Sequence, residues 1–308
     1  MKIGFLFPGQ GSQYVGMGKD IYDNYEEVRN IYDDVLKITD VDVAKLTFES
    51  DEATLTQTKN TQLAILTMSL GVLKILELNN IKADVVTGLS LGEYTSLIYS
   101  NVLSFEDGVK LVKKRGEYMQ NLLPDGEWSM AAFLGADEDT VVSICNKVTS
   151  GFIIPVNFNC SGQIVASGEK KAILEAIEIA KEFGVKRVKE LNTSGPFHTI
   201  KLQDAANALK DELNNIEINE FDIDVIKNID GELYKDDDVK NILCKHMVSP
   251  VRFDKCINKM LDMGIDTFVE IGPGKTLTSF VKKTNKDVTL INITDLESLN
   301  GALEMLKG

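Results

Sequence analysis

The sequence predicts an α/β protein with a mostly parallel sheet and a smaller inserted domain. Three short apolar runs each end in a glycine turn, namely IGFLF (3–7), ADVVTGLS (83–90) and DTFVEIGPG (266–274). Helical patterns follow the second and third runs, and strands alternating with helices indicate a parallel sheet with helices on both faces. Because ligands of such sheets bind beyond the carboxyl ends of the strands, the three turns mark the expected site.

The middle of the chain follows a different order: strand, helix, two close strands, helix and strand. The segments are SMAAFLGA (129–136), DEDTVVSICNKV (137–148), FIIPVNFN (152–159), QIVASG (163–168), EKKAILEAIEIAKEF (169–183) and VKRVKEL (185–191). This β-α-β-β-α-β order is the split βαβ, ferredoxin-like pattern. We therefore expect a large α/β domain over residues 1–124 and 194–308, interrupted by a small inserted domain over residues 125–193.

Composition indicates a globular protein of the cytoplasm. The 308 residues are 44% hydrophobic and 26% charged, and the net charge of −14 disfavours nucleic acid as a partner. The first residues lack the features of a signal peptide, and no stretch approaches the roughly 18 uncharged apolar residues of a membrane helix. The cysteines show no C-x-x-C spacing, so we expect free thiols. They are Cys145, Cys160, Cys244 and Cys256.

Ser90 is the candidate nucleophile. It is the serine of a G-x-S-x-G pattern, GLSLG (88–92), between a predicted strand and a predicted helix. This arrangement is the nucleophile elbow, in which a tight turn exposes the serine hydroxyl. The start of the following helix supplies backbone N–H groups to an oxyanion. A plain strand-to-helix turn is the alternative.

Two other glycine turns lie at the same predicted strand ends. FPGQGSQ (7–13) lacks the third glycine of a dinucleotide-binding fingerprint, and a simple turn is one interpretation of it. The functional interpretation is that the backbone N–H groups of Gln10 and Leu91 form an oxyanion hole beside the nucleophile. IGPGKT (271–276) resembles a Walker A loop, but Val269 stands where that pattern requires glycine, so we interpret it as a structural turn.

Arg115 lies on the apolar face of a predicted helix. It shares that face, by successive i±3 and i±4 spacing, with Leu111, Val112, Met119 and Leu122. A buried arginine keeps its proton and needs an anionic partner. That partner is either an internal carboxylate such as Glu117 or a carboxylate of the substrate, which a guanidinium can hold with two hydrogen bonds.

The chain has only two histidines, and histidine is the most frequent general base at neutral pH. His198 lies in the loop NTSGPFHT, directly after the predicted inserted domain, and is the candidate base. His246 lies near a predicted helix end before Pro250. It is either an alternative base or a capping residue, and capping is our default interpretation.

Seven motifs in order give the chain a family resemblance. They are FPGQGSQ, GLSLGEY, KRGEYM, VNFN, GPFH, SPVRF and VEIGPGKTL. Over essentially its whole length the chain resembles the malonyl-CoA:acyl-carrier-protein transacylases of bacterial type II fatty acid synthesis. That family has an α/β-hydrolase-like large subdomain with a ferredoxin-like insert, which agrees with the predicted order of elements.

The resemblance implies roles for the candidate residues. Ser90 would be the acylated nucleophile and His198 its base. The backbone N–H groups of Gln10 and Leu91 would form the oxyanion hole. Arg115 would bind the free carboxylate of the malonyl group.

The resemblance also covers residues around this core set. Phe197 matches the malonyl-selective pattern, since relatives that accept methylmalonyl often carry a small residue there. Asn157 and Asn159 align with asparagines near the site. The family usually has histidine in place of Leu89. Many members have glutamine in place of His246, with a backbone carbonyl that orients the catalytic histidine, so His246 would orient the base.

The implied reaction is a ping-pong acyl transfer without a metal or redox cofactor. Malonyl-CoA and phosphopantetheinylated acyl carrier protein are the expected partners of a cytoplasmic monomer. The alternatives are a trans-acting acyltransferase of a polyketide synthase, a serine hydrolase of the same architecture, and a binding or scaffolding protein. Arg115 favours a transferase, because a general esterase has no use for a buried cation beside the acyl group. Two basic patches are candidate docking surfaces for carrier protein, Lys186, Arg187 and Lys189 or Lys282 and Lys283.

Overall fold

The structure is a computed structural model that describes residues 1–191, 193, 195–235 and 238–307. The strands are β1 (Ile3–Phe7), β2 (Val85–Gly88), β3 (Trp128–Leu134), β4 (Ile153–Cys160), β5 (Gln163–Glu169), β6 (Arg187–Leu191), β7 (Asp224–Val225), β8 (Thr267–Ile271) and β9 (Thr289–Ile293). The helices are α1 (Lys19–Asn24), α2 (Glu26–Thr39), α3 (Val43–Phe48), α4 (Glu52–Leu55), α5 (Thr58–Leu78), α6 (Leu91–Tyr99), α7 (Phe105–Asn121), α8 (Glu138–Lys147), α9 (Lys170–Glu182), α10 (Gln203–Asn214), α11 (Val239–Met247), α12 (Phe253–Asp262), α13 (Thr276–Thr284) and α14 (Leu296–Leu306).

Five strands form a parallel sheet in the order β7-β2-β1-β8-β9. The three strands predicted from apolar runs are its adjacent members β2, β1 and β8. They are apolar and buried because helices cover both faces, as in most parallel sheets. The carboxyl ends of all three therefore meet at one edge, as the sequence predicts.

Helix α5 is the core helix of the molecule and packs against α2 and α7. Its mean hydropathy of 1.5 makes it long and apolar enough to cross a membrane, so the expectation that no such stretch exists is wrong. However, 83% of the apolar window is buried inside the protein. Its apolarity is accounted for by burial among other helices rather than by lipid contact.

Residues 128–191 form a separate antiparallel sheet in the order β4-β5-β3-β6. The elements follow the predicted order, β3-α8-β4-β5-α9-β6. Because side chains alternate along a strand, Ala131 and Phe133 of β3 join the core under α8 and α9. Met130 and Ala132 point to the opposite face and line a cavity.

The antiparallel sheet contacts the rest of the chain through β4. Val251, between α11 and α12, donates its N–H to the Val156 carbonyl at 2.7 Å and accepts from the Phe158 N–H at 2.9 Å. The cavity lies between β3–β5 and the carboxyl ends of the parallel strands. The predicted domain boundary at residues 193 and 194 includes Ser194, which lies outside the described residues.

Candidate active site

Ser90 occupies a sharp turn between β2 and α6. Its backbone angles, φ 55° and ψ −96°, are unfavourable for a residue with a side chain. The glycines of the motif allow close packing, because a Cβ on Gly88 would overlap the backbone of Gly92 and a Cβ on Gly92 would overlap the Phe7 carbonyl. The predicted strand, turn and helix are all present, and the turn has the strained geometry of a nucleophile elbow.

His198 contacts the Ser90 hydroxyl directly. Its Nε2 lies 2.7 Å from Ser90 Oγ, and its Nδ1 lies 3.1 Å from the backbone carbonyl oxygen of His246. Because a carbonyl oxygen only accepts, Nδ1 carries the ring proton and Nε2 presents its lone pair to the serine hydroxyl. This tautomer is the one a general base requires.

The surroundings keep His198 neutral. Burial, followed by the nearby Arg115 guanidinium, lowers the pKa of its imidazole to about 4. Hydrogen bonding to the His246 carbonyl partly offsets this effect. At neutral pH the ring is therefore uncharged and able to accept a proton.

His246 presents its backbone, not its ring, to His198. The ring is fully buried, and within the described residues neither ring nitrogen has a hydrogen-bond partner. Its centroid lies 5.2 Å from that of His198, and its Nδ1 lies 3.7 Å from Glu93 Oε2. Burial, followed by the neighbouring His198, holds the pKa of His246 well below its usual range. Our default interpretation of the side chain as a helix cap is wrong.

Arg115 on α7 is 1% exposed and reaches the nucleophile. Its Nη1 donates to Gln62 Oε1 at 2.6 Å, and its Nη2 donates to Ser90 Oγ at 3.1 Å. The guanidinium carbon lies 5.0 Å from the ring centroid of Tyr94. Its Nε has no hydrogen-bond partner within the part of the chain that the structure describes.

Glu117, the internal carboxylate considered as one alternative partner of Arg115, does not pair with it. The Glu117 carboxylate lies on the solvent-facing side of α7, with Oε1 3.9 Å from Lys113 Nζ and Oε2 3.8 Å from Lys114 Nζ. Among the described residues, no carboxylate lies within ion-pair distance of Arg115. Its direct contacts are a neutral amide, a hydroxyl and an aromatic face, and the buried Glu93 carboxyl group acts on it only from beyond ion-pair distance, which leaves the guanidinium available to an anion.

The two backbone N–H groups predicted to form an oxyanion hole lie on turns that touch. The Leu89 N–H donates to the Phe7 carbonyl at 3.0 Å, and a Cβ on Gly9 would overlap the Leu89 carbonyl. Leu91 is the first residue of α6, where N–H groups have no partner within the helix. Within the described residues, neither the Gln10 nor the Leu91 N–H donates to a protein acceptor.

All predicted site residues except His246 line one cavity of about 230 Å³. They are Gln10, Ser90, Leu91, Arg115, Asn157, Asn159, Phe197 and His198. Asn157 and Asn159 come from β4, and the Asn159 side-chain oxygen has no partner among the described residues. Leu89 lines the same cavity. A pocket with an apolar wall and a few convergent polar groups is the usual form of a small-molecule site.

The sequence interpretation missed Gln62 and Tyr94. Gln62 is 1% exposed on α5 and its amide holds the Arg115 guanidinium. Its signal was a polar amide at the start of an apolar helical run, a signal similar to the one that identified Arg115. The turn at 271–276 also does more than connect elements, because Thr276 and Leu277 beside it line the cavity.

A family model described as the acyl transferase domain matches residues 4–300. The chain belongs to the acyl transferase domain family. Membership confirms the predicted enzyme class, an acyltransferase, and it disfavours a binding or scaffolding protein.

Relatives within the acyl transferase family match over nearly the full chain. The malonyl CoA-acyl carrier protein transacylase of Bacillus subtilis is 42% identical, covering 99% of this chain and 98% of the relative. The crystal structure of the transacylase of the same name from Clostridium perfringens has a TM-score of 0.95 and 45% identity, covering 100% and 98%. A malonyl-transacylase solved with its type II PKS acyl-carrier protein has a TM-score of 0.95 and 30% identity, covering 99% and 100%.

Proposed function

We propose that the protein transfers a malonyl group from malonyl-CoA to the phosphopantetheine thiol of acyl carrier protein. The transfer proceeds through a malonyl ester of Ser90 and supplies fatty acid synthesis. The observation that carries this proposal is a buried arginine, Arg115, 3.1 Å from the nucleophilic oxygen and with no carboxylate of the described residues within ion-pair distance. A free carboxylate on the acyl group would complete that pairing.

The first half of the cycle loads the enzyme. His198 Nε2 accepts the Ser90 hydroxyl proton as Oγ forms a bond to the thioester carbonyl carbon. The resulting oxyanion accepts hydrogen bonds from the Gln10 and Leu91 N–H groups. The carbon–sulfur bond then breaks, and the imidazolium returns its proton to the leaving thiolate, so coenzyme A departs as a thiol.

The second half reverses these steps. The phosphopantetheine thiol gives its proton to His198 and attacks the malonyl ester, and Ser90 recovers its proton as the ester bond breaks. The His246 carbonyl keeps the Nδ1 proton in place through both halves. The proposed cycle uses no metal or redox cofactor.

Arg115 has one edge suited to the malonyl carboxylate. Nη1 is engaged by Gln62, whereas Nε and Nη2 form the other edge of the guanidinium plane. A carboxylate on that edge would take two parallel hydrogen bonds and would replace the contact to Ser90 Oγ. Binding of the malonyl group would thereby free the hydroxyl for attack.

We propose the same division of the chain that the sequence indicates. Residues 1–124 and 194–308 would form an α/β-hydrolase-like large subdomain, and residues 125–193 a ferredoxin-like insert. The strand orders of the two sheets support this division. The four free thiols are in keeping with a cytoplasmic setting, and we propose that the protein acts there as a monomer.

A mass measurement tests the proposed loading step. Incubation with malonyl-CoA should add one malonyl group to the peptide that contains Ser90, and Ser90→Ala should abolish the addition. Acetyl-CoA at the same concentration should label the peptide far less. Equal labelling by both thioesters, or labelling that survives Ser90→Ala, would contradict the proposal.

A transacylase of polyketide synthesis is the second candidate function. It is favoured by one observation, the likeness to a malonyl-transacylase that was solved with a type II PKS acyl-carrier protein. The chemistry at Ser90 would be the same, and only the carrier would differ. Comparing discharge rates to carrier proteins of the two pathways would separate the candidates.

A further inference from the structure

Asn228 bridges the two sides of the nucleophile turn. Its side-chain Oδ1 accepts from the Ser90 N–H at 2.8 Å, and its Nδ2 donates to the Gly88 carbonyl oxygen at 2.7 Å. The residue is fully buried and lies 138 positions from Ser90 in the sequence. One amide therefore satisfies a donor and an acceptor that the sharp turn removes from regular structure.

Asn228 is itself held by its backbone. Its N–H donates to Glu93 Oε2 at 2.9 Å, and its carbonyl accepts from the Arg252 N–H at 2.7 Å. Glu93 is fully buried on α6, three residues after the nucleophile, and its other oxygen accepts from the Tyr234 hydroxyl. Glu93 of α6 thus fixes Asn228, and Asn228 in turn holds the turn at Ser90.

We propose that Asn228 is a positioning residue for Ser90, with Glu93 fixing Asn228 in place. The inference rests on the proposed function, since it assigns a role in acylation of the same serine. Ser90 adopts a strained backbone conformation that persists only where its surroundings impose it. The amide supplies that constraint from both sides of the turn.

The hydrogen bond to Asn228 also gives the Ser90 and Leu91 N–H groups different roles. The Ser90 N–H is taken by Asn228, whereas the Leu91 N–H has no protein acceptor within the described residues and lines the cavity with Ser90. An oxyanion would therefore meet the Leu91 N–H in a fixed direction. Asn228 does not itself line the cavity, so its loss should reduce the rate of acylation rather than the binding of malonyl-CoA.

Asn228→Ala tests the proposal against a matched control. Asn292 on β9 is also an asparagine whose amide bonds a buried glutamate, donating to Glu270 Oε2 at 3.1 Å and Thr278 Oγ1 at 2.6 Å. Single-turnover loading of malonyl onto Ser90 should fall about 100-fold in Asn228→Ala, with KM within about 2-fold, as expected for misplaced reacting atoms. Asn292→Ala should load at the wild-type rate despite a similar loss of thermal stability.

A second variant keeps the proposal testable if the alanine variant does not fold. Asn228→Asp is nearly isosteric and retains the acceptor for the Ser90 N–H. When ionised, the new carboxylate faces the Gly88 carbonyl oxygen, whereas a protonated carboxyl group donates to it. The ratio of variant to wild-type loading rates should therefore rise about 5-fold or more from pH 8 to pH 5.5.

The role of Glu93 is tested by a double-mutant cycle. If Glu93 acts through Asn228, Glu93→Gln should slow loading in the wild-type background and have no further effect on the rate in Asn228→Ala. Additive effects on the loading rate would overturn this part of the proposal.

A fluorophosphonate probe separates this inference from the proposed function, because it reacts with an activated serine whatever the acyl substrate. Slow probe labelling of Asn228→Ala beside fast labelling of wild type and Asn292→Ala supports positioning. A wild type that reacts with the probe but not with malonyl-CoA defeats the proposed function and leaves the positioning role standing. Wild-type labelling rates in Asn228→Ala, or a pH-independent ratio for Asn228→Asp, overturn the positioning role.

Discussion

The two sheets contribute different groups to the cavity between them. The parallel sheet contributes turns at its carboxyl edge, and these carry Ser90 and the N–H groups of Gln10 and Leu91. The antiparallel sheet contributes strand side chains, including Asn157 and Asn159 of β4. Sharp backbone turns can direct N–H groups and a hydroxyl toward the same reacting atom, whereas regular strands present side chains at even spacing along one side of the cavity. We therefore expect substitutions at the parallel edge to affect rate most.

The largest effect is expected at the nucleophile and its base. Ser90→Ala or His198→Ala should each lower transfer about 10⁴-fold or more, because each removes a group that forms or breaks a bond. The double variant should be no slower than either single variant, since the two act as one unit. Steady-state transfer to carrier protein measures the effect. Additive losses in the double variant would mean that Ser90 and His198 act independently, which would contradict their 2.7 Å contact.

Arg115→Ala should lower malonyl transfer about 10²- to 10³-fold, because it removes two charge-assisted hydrogen bonds to the substrate carboxylate. Acetyl transfer should change much less, and Arg115→Lys should recover only part of the loss since lysine lacks the planar fork. Parallel assays with malonyl-CoA and acetyl-CoA provide the comparison. Equal losses for both thioesters would remove the basis for malonyl selection.

The pH profile tests the buried environment of His198 beside Ser90. Its pKa is lowered from 6.5 to about 4, so the neutral base persists above about pH 5 and is lost as pH falls through about 4. At pH 5 about 90% of the base should be neutral, against about 3% for an ordinary histidine. The acid limb of kcat/KM reports this value for the free enzyme. A limb near pH 6.5, with activity restored on return to neutral pH, would contradict it.

The antiparallel wall should respond more weakly. Asn159→Ala removes a buried amide whose oxygen has no partner in the described part of the chain, and we expect less than about a 10-fold loss of kcat/KM. The same measurement on Arg115→Ala gives the scale for a side chain in direct contact with Ser90. A loss of kcat/KM in Asn159→Ala as large as that in Arg115→Ala would mean that side chains of the antiparallel sheet contribute directly to the reaction.

The smallest effect is expected at the ring of His246. His246→Gln keeps the backbone carbonyl that accepts from His198 Nδ1 and removes only an imidazole without hydrogen-bond partners in the described residues. The rate of transfer should stay within about 3-fold of wild type, because a neutral glutamine amide costs no more to bury than the neutral imidazole that it replaces. A large loss in the same assay would assign the ring a part in orienting the base.

Local patterns account for what the sequence predicted well. The strands, the elbow at Ser90 and the apolar helix face that carries Arg115 are each encoded within a few residues, by glycine turns and by 3.6-residue spacing. The length and apolarity of α5 were also visible, but the sequence interpretation overlooked them because Lys59 and Lys74 interrupt the run.

The missed features depend on pairing between distant segments. Gln62 meets Arg115 across 53 residues, and Asn228 meets Ser90 across 138. A lone asparagine in a loop after a two-residue strand carries no periodic signal, so its position under the elbow follows only from the packed fold. The outward face of β3 likewise became a cavity wall only once the antiparallel sheet packed on the parallel one.

The most direct test of the account is the fate of the malonyl ester at Ser90. The loaded enzyme, freed of malonyl-CoA, is mixed with either buffer or phosphopantetheinylated acyl carrier protein, and the malonyl mass on the enzyme is followed with time. We predict an ester that persists for minutes in buffer and is discharged within seconds to the carrier thiol. Equal loss of the malonyl group in buffer and in carrier protein would make the protein a hydrolase and contradict the account.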